Sequence, residues 1–412
     1  MNLILTALKT AVTEQSKMTE LSAISLFSGC GGDTLGLERA GFKVLAFNEF
    51  KQAPVNSHIA NFPSSIPINE PNKTVGDITK LPDAVFEPYK GQIQVVFAGF
   101  NCQGYSKAGK KDVNDPRNQL YKQFVRVVKI TQPPFLIGEN VSGLLAMKSG
   151  PREEDPMVIE TIRQAFAEIG NSISYQVLEA TEFGVPQSRK RLLIAGWKTA
   201  QFPEFDTASF WAAVQAWGAQ QTVPKLNSFV QPTLEGALKL DSRAVPPHFE
   251  TVAITVAQDA EPTGAPHPYV TLKATSFDET YQEKTYDRLL SCGKRDSPIH
   301  SEILDLTKPS KTIICTYDHQ PRLLVGLRKP DGTAYARCLL PDELKQIQGF
   351  PADFKLCGNV KEQIVQVGNA VPPNLVQAVA QGFKKYLDAP QPLPPHPPAE
   401  SKPKRKYKIV RS

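Results

Sequence analysis

A chain of 412 residues that is 41% hydrophobic, 21% charged and 8% aromatic has the composition of a folded protein of two or three domains, and excludes a disordered or fibrous one. Its 47 Lys and Arg against 41 Asp and Glu leave a formal +6, which permits a polyanionic partner without requiring one. The six cysteines, at 30, 102, 292, 315, 338 and 357, form no CxxC pair, so no metal is expected and a reducing compartment fits.

Residues 1–20 read as an N-terminal extension. Leu3 to Leu8 is apolar but lacks a basic lead-in, and no apolar run approaches the roughly 20 residues that span a bilayer. No membrane is expected, and the location is taken as soluble and intracellular. Residues 22–28 form an apolar run that breaks at Gly29, Gly31 and Gly32 before Leu35, Leu37 and Ala40, the pattern of strand, glycine turn and helix. Further strands are predicted at Val44 to Phe47, Gln94 to Phe97, Phe135 to Gly138, Tyr175 to Leu178 and Leu192 to Ala195. Between them, Leu120, Phe124, Val127 and Val128 mark one amphipathic helix, and Val158, Ile159, Ile162, Phe166 and Ile169 another, stopped by Gly170. Strands alternating with helices imply βαβ units. Residues 21–200 are therefore expected to form a doubly wound α/β domain with a mostly parallel sheet.

From residue 201 the pattern loosens into short apolar stretches between proline, glycine and polar clusters. A smaller, irregular or β-rich domain is expected over 201–350, and a C-terminal segment, 351–388, returns to the first domain. Residues 389–412 hold seven prolines and a basic cluster, the composition of a disordered tail.

The chemistry concentrates at predicted strand ends. The turn Ser28-Gly29-Cys30-Gly31-Gly32 lets a ligand approach the backbone, and Glu49, after the next strand, is placed to accept from ribose hydroxyls. Gly76-Asp77-Ile78-Thr79, read as the exit of a third strand, offers a carboxylate for an adenine amino group and an apolar side chain for its ring. The turn lacks the third glycine of GxGxxG, which favours a nucleoside cofactor without pyrophosphate, such as S-adenosylmethionine, over a nicotinamide or flavin dinucleotide. In Gly99-Phe100-Asn101-Cys102-Gln103-Gly104-Tyr105-Ser106 a cysteine leaves a strand's carboxyl end, where open α/β sheets build their sites. Cys102 is a candidate nucleophile. Glu139 follows the next predicted strand, and Gln187-Ser188-Arg189-Lys190-Arg191 places two arginines on one side of an extended segment.

With these residues in hand, the chain resembles the DNA (cytosine-5) methyltransferases. The matching stretches are Ser25 to Leu37, Glu49, Gly76 to Thr79, Gly99 to Ser106, Glu139 to Val141, Gln187 to Arg191, Arg337 to Pro351 and Gly368 to Pro373. They stand in the family's order and span about residues 21–386. The resemblance implies an S-adenosylmethionine-dependent methyltransferase fold, a target-recognition domain in the looser central region, and double-stranded DNA as partner. It implies that Cys102 adds to cytosine C6 while Glu139 serves N3, with Arg189 and Arg191 favouring the thiolate and orienting the base. Cofactor contacts then fall to Phe27, Ser28, Gly29, Gly31, Gly32, Glu49, Asp77, Ile78, Phe100, Leu120, Asn369 and Ala370, and DNA contacts to Gln103, Ser106 and Gln187. The target cytosine would be flipped out of the duplex. The expected enzyme is a monomer, cytoplasmic or nucleoid-associated in a bacterial host, and a cognate restriction endonuclease would accompany it in a restriction-modification system.

One departure stands out. The family usually carries proline before the nucleophilic cysteine, whereas this chain has Asn101, which frees φ and restores a donor. Two rivals stand beside the leading reading: methylation of RNA on the same fold, as in the family's tRNA-acting branch, and, encouraged by Asn101, a catalytically weak DNA-binding relative. Against the RNA branch, no Cys-Phe-Thr stretch is present.

The charge is unevenly placed. Residues 389–412 carry six Lys and Arg against one Glu, a net +5 of the whole +6, so the body is nearly neutral. Truncation at residue 388 is expected to flatten the salt dependence of DNA affinity by roughly one unit of log–log slope per phosphate no longer neutralised. Filter-binding across a salt series checks this, and the sequence methylated should not change.

Overall fold

The computed structural model describes residues 20–70, 72–100, 116–150, 152–242, 245, 249–266, 302–318 and 321–388. Asn101, Cys102, Gln103 and Ser106, the N-terminal extension up to residue 19 and the basic tail lie outside them.

The larger sheet has seven strands: β1 (Ser22–Leu26), β2 (Lys43–Asn48), β3 (Ile66–Pro67), β4 (Val95–Ala98), β5 (Phe135–Val141), β6 (Asn171–Glu179) and β7 (Lys190–Lys198), in the order β3-β2-β1-β4-β5-β7-β6. Strands β1 to β5 are mutually parallel, and β7 runs antiparallel to both β5 and β6. All five residues of β1 are buried, as a strand covered on both faces requires. The chain leaves β1 toward β2 and β3 and returns to β4 on β1's other flank, so a crevice opens between the carboxyl ends of β1 and β4.

Helices cover both faces. Helix α1 (Gly32–Arg39) lies on one face, with α5 (Thr207–Gly218) and α8 (Pro373–Asp388); Leu37, Phe210, Val214, Leu375 and Phe383 share one core cluster there. On the other face lie α3 (Tyr121–Thr131) and α4 (Val158–Ala167), whose Phe124, Val127, Ile159 and Ile162 fall at helical spacing on the buried side. Helix α2 (Gln52–Asn61) follows β2. Gly36 explains how α1 and α8 pack so closely. A side-chain carbon there would meet Pro373 O at 2.4 Å and Val376 Cβ at 2.8 Å, so the two backbones touch only because none exists.

The second sheet joins β8 (Leu238–Lys239), β9 (Ile254–Thr255), β10 (Glu302–Ile303), β11 (Leu323–Arg328) and β12 (Ala334–Cys338), ordered β10-β11-β12-β8 with β9 beside β11. Helices α6 (Pro341–Ile347) and α7 (Val360–Asn369) come next in the chain.

Three expectations shift. Helix α5 belongs to the first core rather than to a domain starting at 201, because Phe210 packs on Phe383 with ring centroids 4.7 Å apart. The second core runs from Leu226 through Ile364 and Val367, so α7 serves it too, even though Phe350 and Phe354 already cluster with Cys30 and Phe62 of the first domain. Residues 76–79 do not leave a third strand directly; β3 is only Ile66–Pro67, and Gly76 is brought back to β2 by Gly76 N donating to Glu49 O (2.9 Å) and Asn48 Nδ2 donating to Gly76 O (2.9 Å).

At the base of the second domain Arg337 and Glu343, 1% and 0% exposed, form an ion pair at 2.6 Å. The guanidinium also donates to Thr233 O, Gln231 O and Cys338 O, and Glu343 accepts from Gln231 N and Leu340 N. Removing one partner strands the other's charge without water. Glu343→Leu is expected to destabilise by about 3–5 kcal/mol, and Glu343→Leu combined with Arg337→Met by less than the sum of the singles, as read from urea unfolding.

Candidate functional site

The glycine turn after β1 forms as expected. Phe27, Gly29 and Gly31 have φ of 56°, 54° and 98°, and α1 starts at Gly32. At Gly31 only glycine fits: its φ is left-handed, and a side-chain carbon would meet Phe62 Cε2 at 2.6 Å and His58 Cδ2 at 3.0 Å. The Gly29 position instead faces open space within 4 Å. Glu49 stands over the turn, its Oε2 accepting from Gly29 N (3.0 Å) and its Oε1 from Phe50 N and Lys51 N (2.9 Å each). Burial raises its pKa against the lowering effect of those three amides.

Around the turn the remaining cofactor candidates separate. Ile78 is buried, and Asp77 accepts from Thr79 N and Oγ1 while pairing with Lys80 at 3.0 Å. Ala370 and Val371 reach Gly32: a side-chain carbon there would lie 3.5 Å from Ala370 Cβ and 2.6 Å from Val371 O. Asn369 is exposed at the end of α7. Leu120 is partly buried ahead of α3, and Phe100 is 2% exposed in the core beneath it.

Glu139 lies inside β5 rather than just past it, opposite Leu193 of β7. Its Oε1 receives Arg191 Nε at 2.9 Å, both side chains being 14% exposed. Burial raises the Glu139 pKa more than the charges of Arg191 and Arg189 lower it. Gly99 joins this acid to the turn: a side-chain carbon on it would stand 3.7 Å from Glu139 Oε2 and 3.8 Å from Phe27 O. Asn140 Nδ2 donates to Phe100 O at 2.8 Å, fixing the backbone that leads to Cys102. The exits of β1, β4 and β5 therefore converge on one place.

The two arginines part company. Arg191 faces Glu139, whereas Arg189, 1% exposed, donates to Ile313 O (2.8 Å), Gly368 O (2.8 Å) and Ala370 O (3.2 Å). Its hydrogen bonds join the sheet to the second domain and to the end of α7, and its effect on Glu139 is one of charge. Gln187 is fully buried: its Nε2 donates to Gln348, its Oε1 accepts from Ile313 N (2.9 Å), and Gln348 Nε2 donates to Ala370 O (2.5 Å). That leaves Gln187 as a strut between domains, with no face open to DNA.

Sequence reasoning missed Gln348 and a set of buried polar groups under the turn, namely Asp33, Thr34 and His58. The signal was an acid and a hydroxyl directly after two glycines, where an α1 face toward the sheet calls for apolar residues.

Among the described residues no group of His, Cys, Asp and Glu is arranged to hold a metal ion, and no helix is long and apolar enough to cross a membrane. Residues 21–385 match the family model of the C-5 cytosine-specific DNA methylases. The chain is 32% identical over 373 residues to the Type II methyltransferase M1.HphI of Haemophilus parahaemolyticus, covering 89% of this chain and 87% of that one. It is 28% identical over 376 residues to M.NgoPII of Neisseria gonorrhoeae, covering 89% and 96%. The fold is shared with the S. pombe Dnmt2 methyltransferase (TM-score 0.57, 14% identity, 90% of this chain and 100% of that one) and with Entamoeba histolytica EhMeth (0.56, 15%, 90% and 99%). With the acid, its arginine and the glycine turn gathered at one sheet edge, and a match over nearly its whole length, this chain belongs to the C-5 cytosine-specific DNA methylase family and is a DNA cytosine-5 methyltransferase.

Proposed function

We propose that the chain transfers a methyl group from S-adenosylmethionine to C5 of a cytosine flipped out of double-stranded DNA, through a transient bond between Cys102 and C6. The observation that carries this reading is Glu139: a carboxyl raised by burial, held by Arg191, and next to both the Gly99 backbone and the glycine turn.

The residues present fit the donor. Gly29 opens on free space, Glu49 is fixed by three backbone amides beside it, and Gly76, just before Asp77 and Ile78, is hydrogen-bonded to Glu49 O. When bound, S-adenosylmethionine supplies an electrophilic methyl group. Glu49 would hold its ribose, and the turn would pass close along its methionine portion.

Cytosine C5 is a poor nucleophile until the ring is activated. The Cys102 thiolate forms a bond to C6, and Glu139, in its protonated form, gives a proton or hydrogen bond to N3, leaving C5 enamine-like. After C5 takes the methyl group it loses its proton to a base, the C6–S bond breaks, and the thiolate returns. Arg191 keeps the carboxyl aimed and opposes its protonation only in part. The second domain would read the target sequence, with Gln103 and Ser106 meeting DNA near the flipped base and Gln187 holding the two domains in register. The relatives are named Type II methyltransferases, so this chain is read as the protective half of a restriction-modification pair.

Bisulfite sequencing of DNA and of tRNA from cells that express the chain should show DNA cytosines protected in one sequence context. Good soluble expression with no protected cytosine would overturn the reading, and protection confined to tRNA would move it to the RNA-acting branch. Duplex DNA carrying 5-fluorocytosine should trap a covalent complex with the wild type and none with Cys102→Ser.

For Glu139→Gln the single-turnover rate is expected to fall about 10²–10⁴-fold with DNA binding retained. Because the Glu139 pKa is raised, the protonated form is lost as pH climbs through it, so the wild-type rate should decline on the alkaline side. In Glu139→Gln that decline should vanish, as a pH–rate series would show.

A further inference from the structure

Below the glycine turn lies a chain of polar side chains that the methyl-transfer chemistry does not use. Asp33, 2% exposed, accepts from Ser25 Oγ and from Ser28 Oγ, the latter at 3.3–3.4 Å. Thr34 Oγ1 lies 3.4 Å from Asp33 Oδ2 and 3.0 Å from His58 Nε2. His58, fully buried, stacks on Phe47 with ring centroids 3.6 Å apart, and its Nδ1 has no hydrogen-bond partner. The same imidazole walls in Gly31. These groups connect β1, the turn, α1 and α2.

An acid in that position is costly. Burial outweighs the bonds from Ser25, Thr34 and Ser28 and pushes Asp33 from 3.8 up to about 7. A residue serving stability alone would be apolar or an amide here. The placement points elsewhere: Ser28 belongs to the turn, and its buried hydroxyl ties that turn to Asp33.

We propose that Asp33 is a positioning residue for the methyl donor, whose carboxylate, anchored on Ser25, holds the Ser28 hydroxyl inward and so fixes the Phe27–Gly32 turn in its binding shape. The inference rests on the donor reading of this turn. As a carboxylate, Asp33 accepts from Ser25, Ser28 and Thr34 together. Once protonated, one of its oxygens donates, it can no longer accept from all three as a charged acceptor, and its hold on Ser28 weakens. The Thr34–His58 link carries the restraint to α2, and neutral His58 can supply its Nε2 proton to Thr34 while Thr34 donates to Asp33.

Other ionisable groups face Asp33 from the packed elements. The Cys30 thiol is pushed to about 12, by burial first and then by Asp33, and stays neutral. His58 is lowered to about 3 by burial and stays neutral. Glu49, over the same turn, is also raised by burial. Glu49→Gln should therefore weaken binding yet keep the midpoint set by Asp33.

The test is calorimetric titration of the full chain with S-adenosylhomocysteine across about pH 6 to 9. Wild-type affinity should rise with pH through about 7, where Asp33 ionises. Asp33→Asn should bind roughly tenfold more weakly on the alkaline side, the loss expected for charge-assisted hydrogen bonds, without the rise through about 7. Its thermal midpoint should nonetheless be equal or higher there. The sign comes from the raised pKa: the folded state keeps a proton that the unfolded chain loses from about 3.8 upward, so stability falls as pH rises to about 7 and the deficit persists above it. Removing the charge lifts that deficit, whereas a merely structural residue would lower the midpoint when replaced. Asp33→Asn binding with wild-type affinity or wild-type pH dependence overturns the inference, as does a lowered midpoint. Should Asp33→Asn fail to fold, Ser25→Ala decides: losing that hydrogen bond should move the binding midpoint to higher pH, and an unmoved midpoint overturns the proposal. A folded wild type that binds no S-adenosylhomocysteine at any pH refutes the donor reading itself, while binding indifferent to Asp33 refutes only this inference.

Discussion

A guanidinium sealed away from water holds the two domains of this enzyme to each other. Arg189 spends its hydrogen bonds on carbonyls from residues 313, 368 and 370, which reach it from distant parts of the chain. A buried charge with this many backbone acceptors tolerates little displacement, since any lost bond leaves it uncompensated. The Gln187–Gln348 pair beside it extends the same logic with neutral groups. Together they form a polar seam at which the second domain, the end of α7 and the larger sheet share one set of acceptors. A change in how the second domain is seated must therefore be felt at Ala370, which lies against Gly32 of the glycine turn.

Much of this architecture is legible in the sequence. The strand–glycine–helix pattern of residues 22–40 and the stripes of α3 and α4 follow from apolar spacing, because each element buries one face against a continuous sheet. Glu139 and Arg191 are legible as site residues from their places beside predicted strands, but their mutual pairing is not, because the sequence puts Glu139 past its strand and assigns the arginine to the thiolate and the base. What sequence alone does not show is the division of labour between Arg189 and Arg191. Alternation puts both on one side, but only the second domain's backbone, arriving from residue 313, decides that one of them becomes a structural pin.

The domain boundaries escape the sequence for a similar reason. Helix α5 sits in a stretch whose proline and glycine content resembles that of the second domain, yet Phe210 and Val214 find their partners on α8, far along the chain. Local composition carries no record of such long-range packing. Nor does it reveal why Asp33 occupies an apolar slot, a local conflict of the kind that folded proteins retain where function requires it.

The reversed direction of β7 has a consequence for the acid–arginine pair. In the ladder Arg191 stands opposite Val141 and Leu193 opposite Glu139, so the two charged residues are diagonal neighbours on one face of the sheet. The carboxyl end of β5 meets the start of β7 only because the two run oppositely; a parallel β7 would begin at the far rim. Their spacing is thus metered by the pleat itself, with no loop in between to drift. Shifting the ladder by a single residue would turn one of the two to the opposite face, which makes the pairing digital: it is either in register or gone.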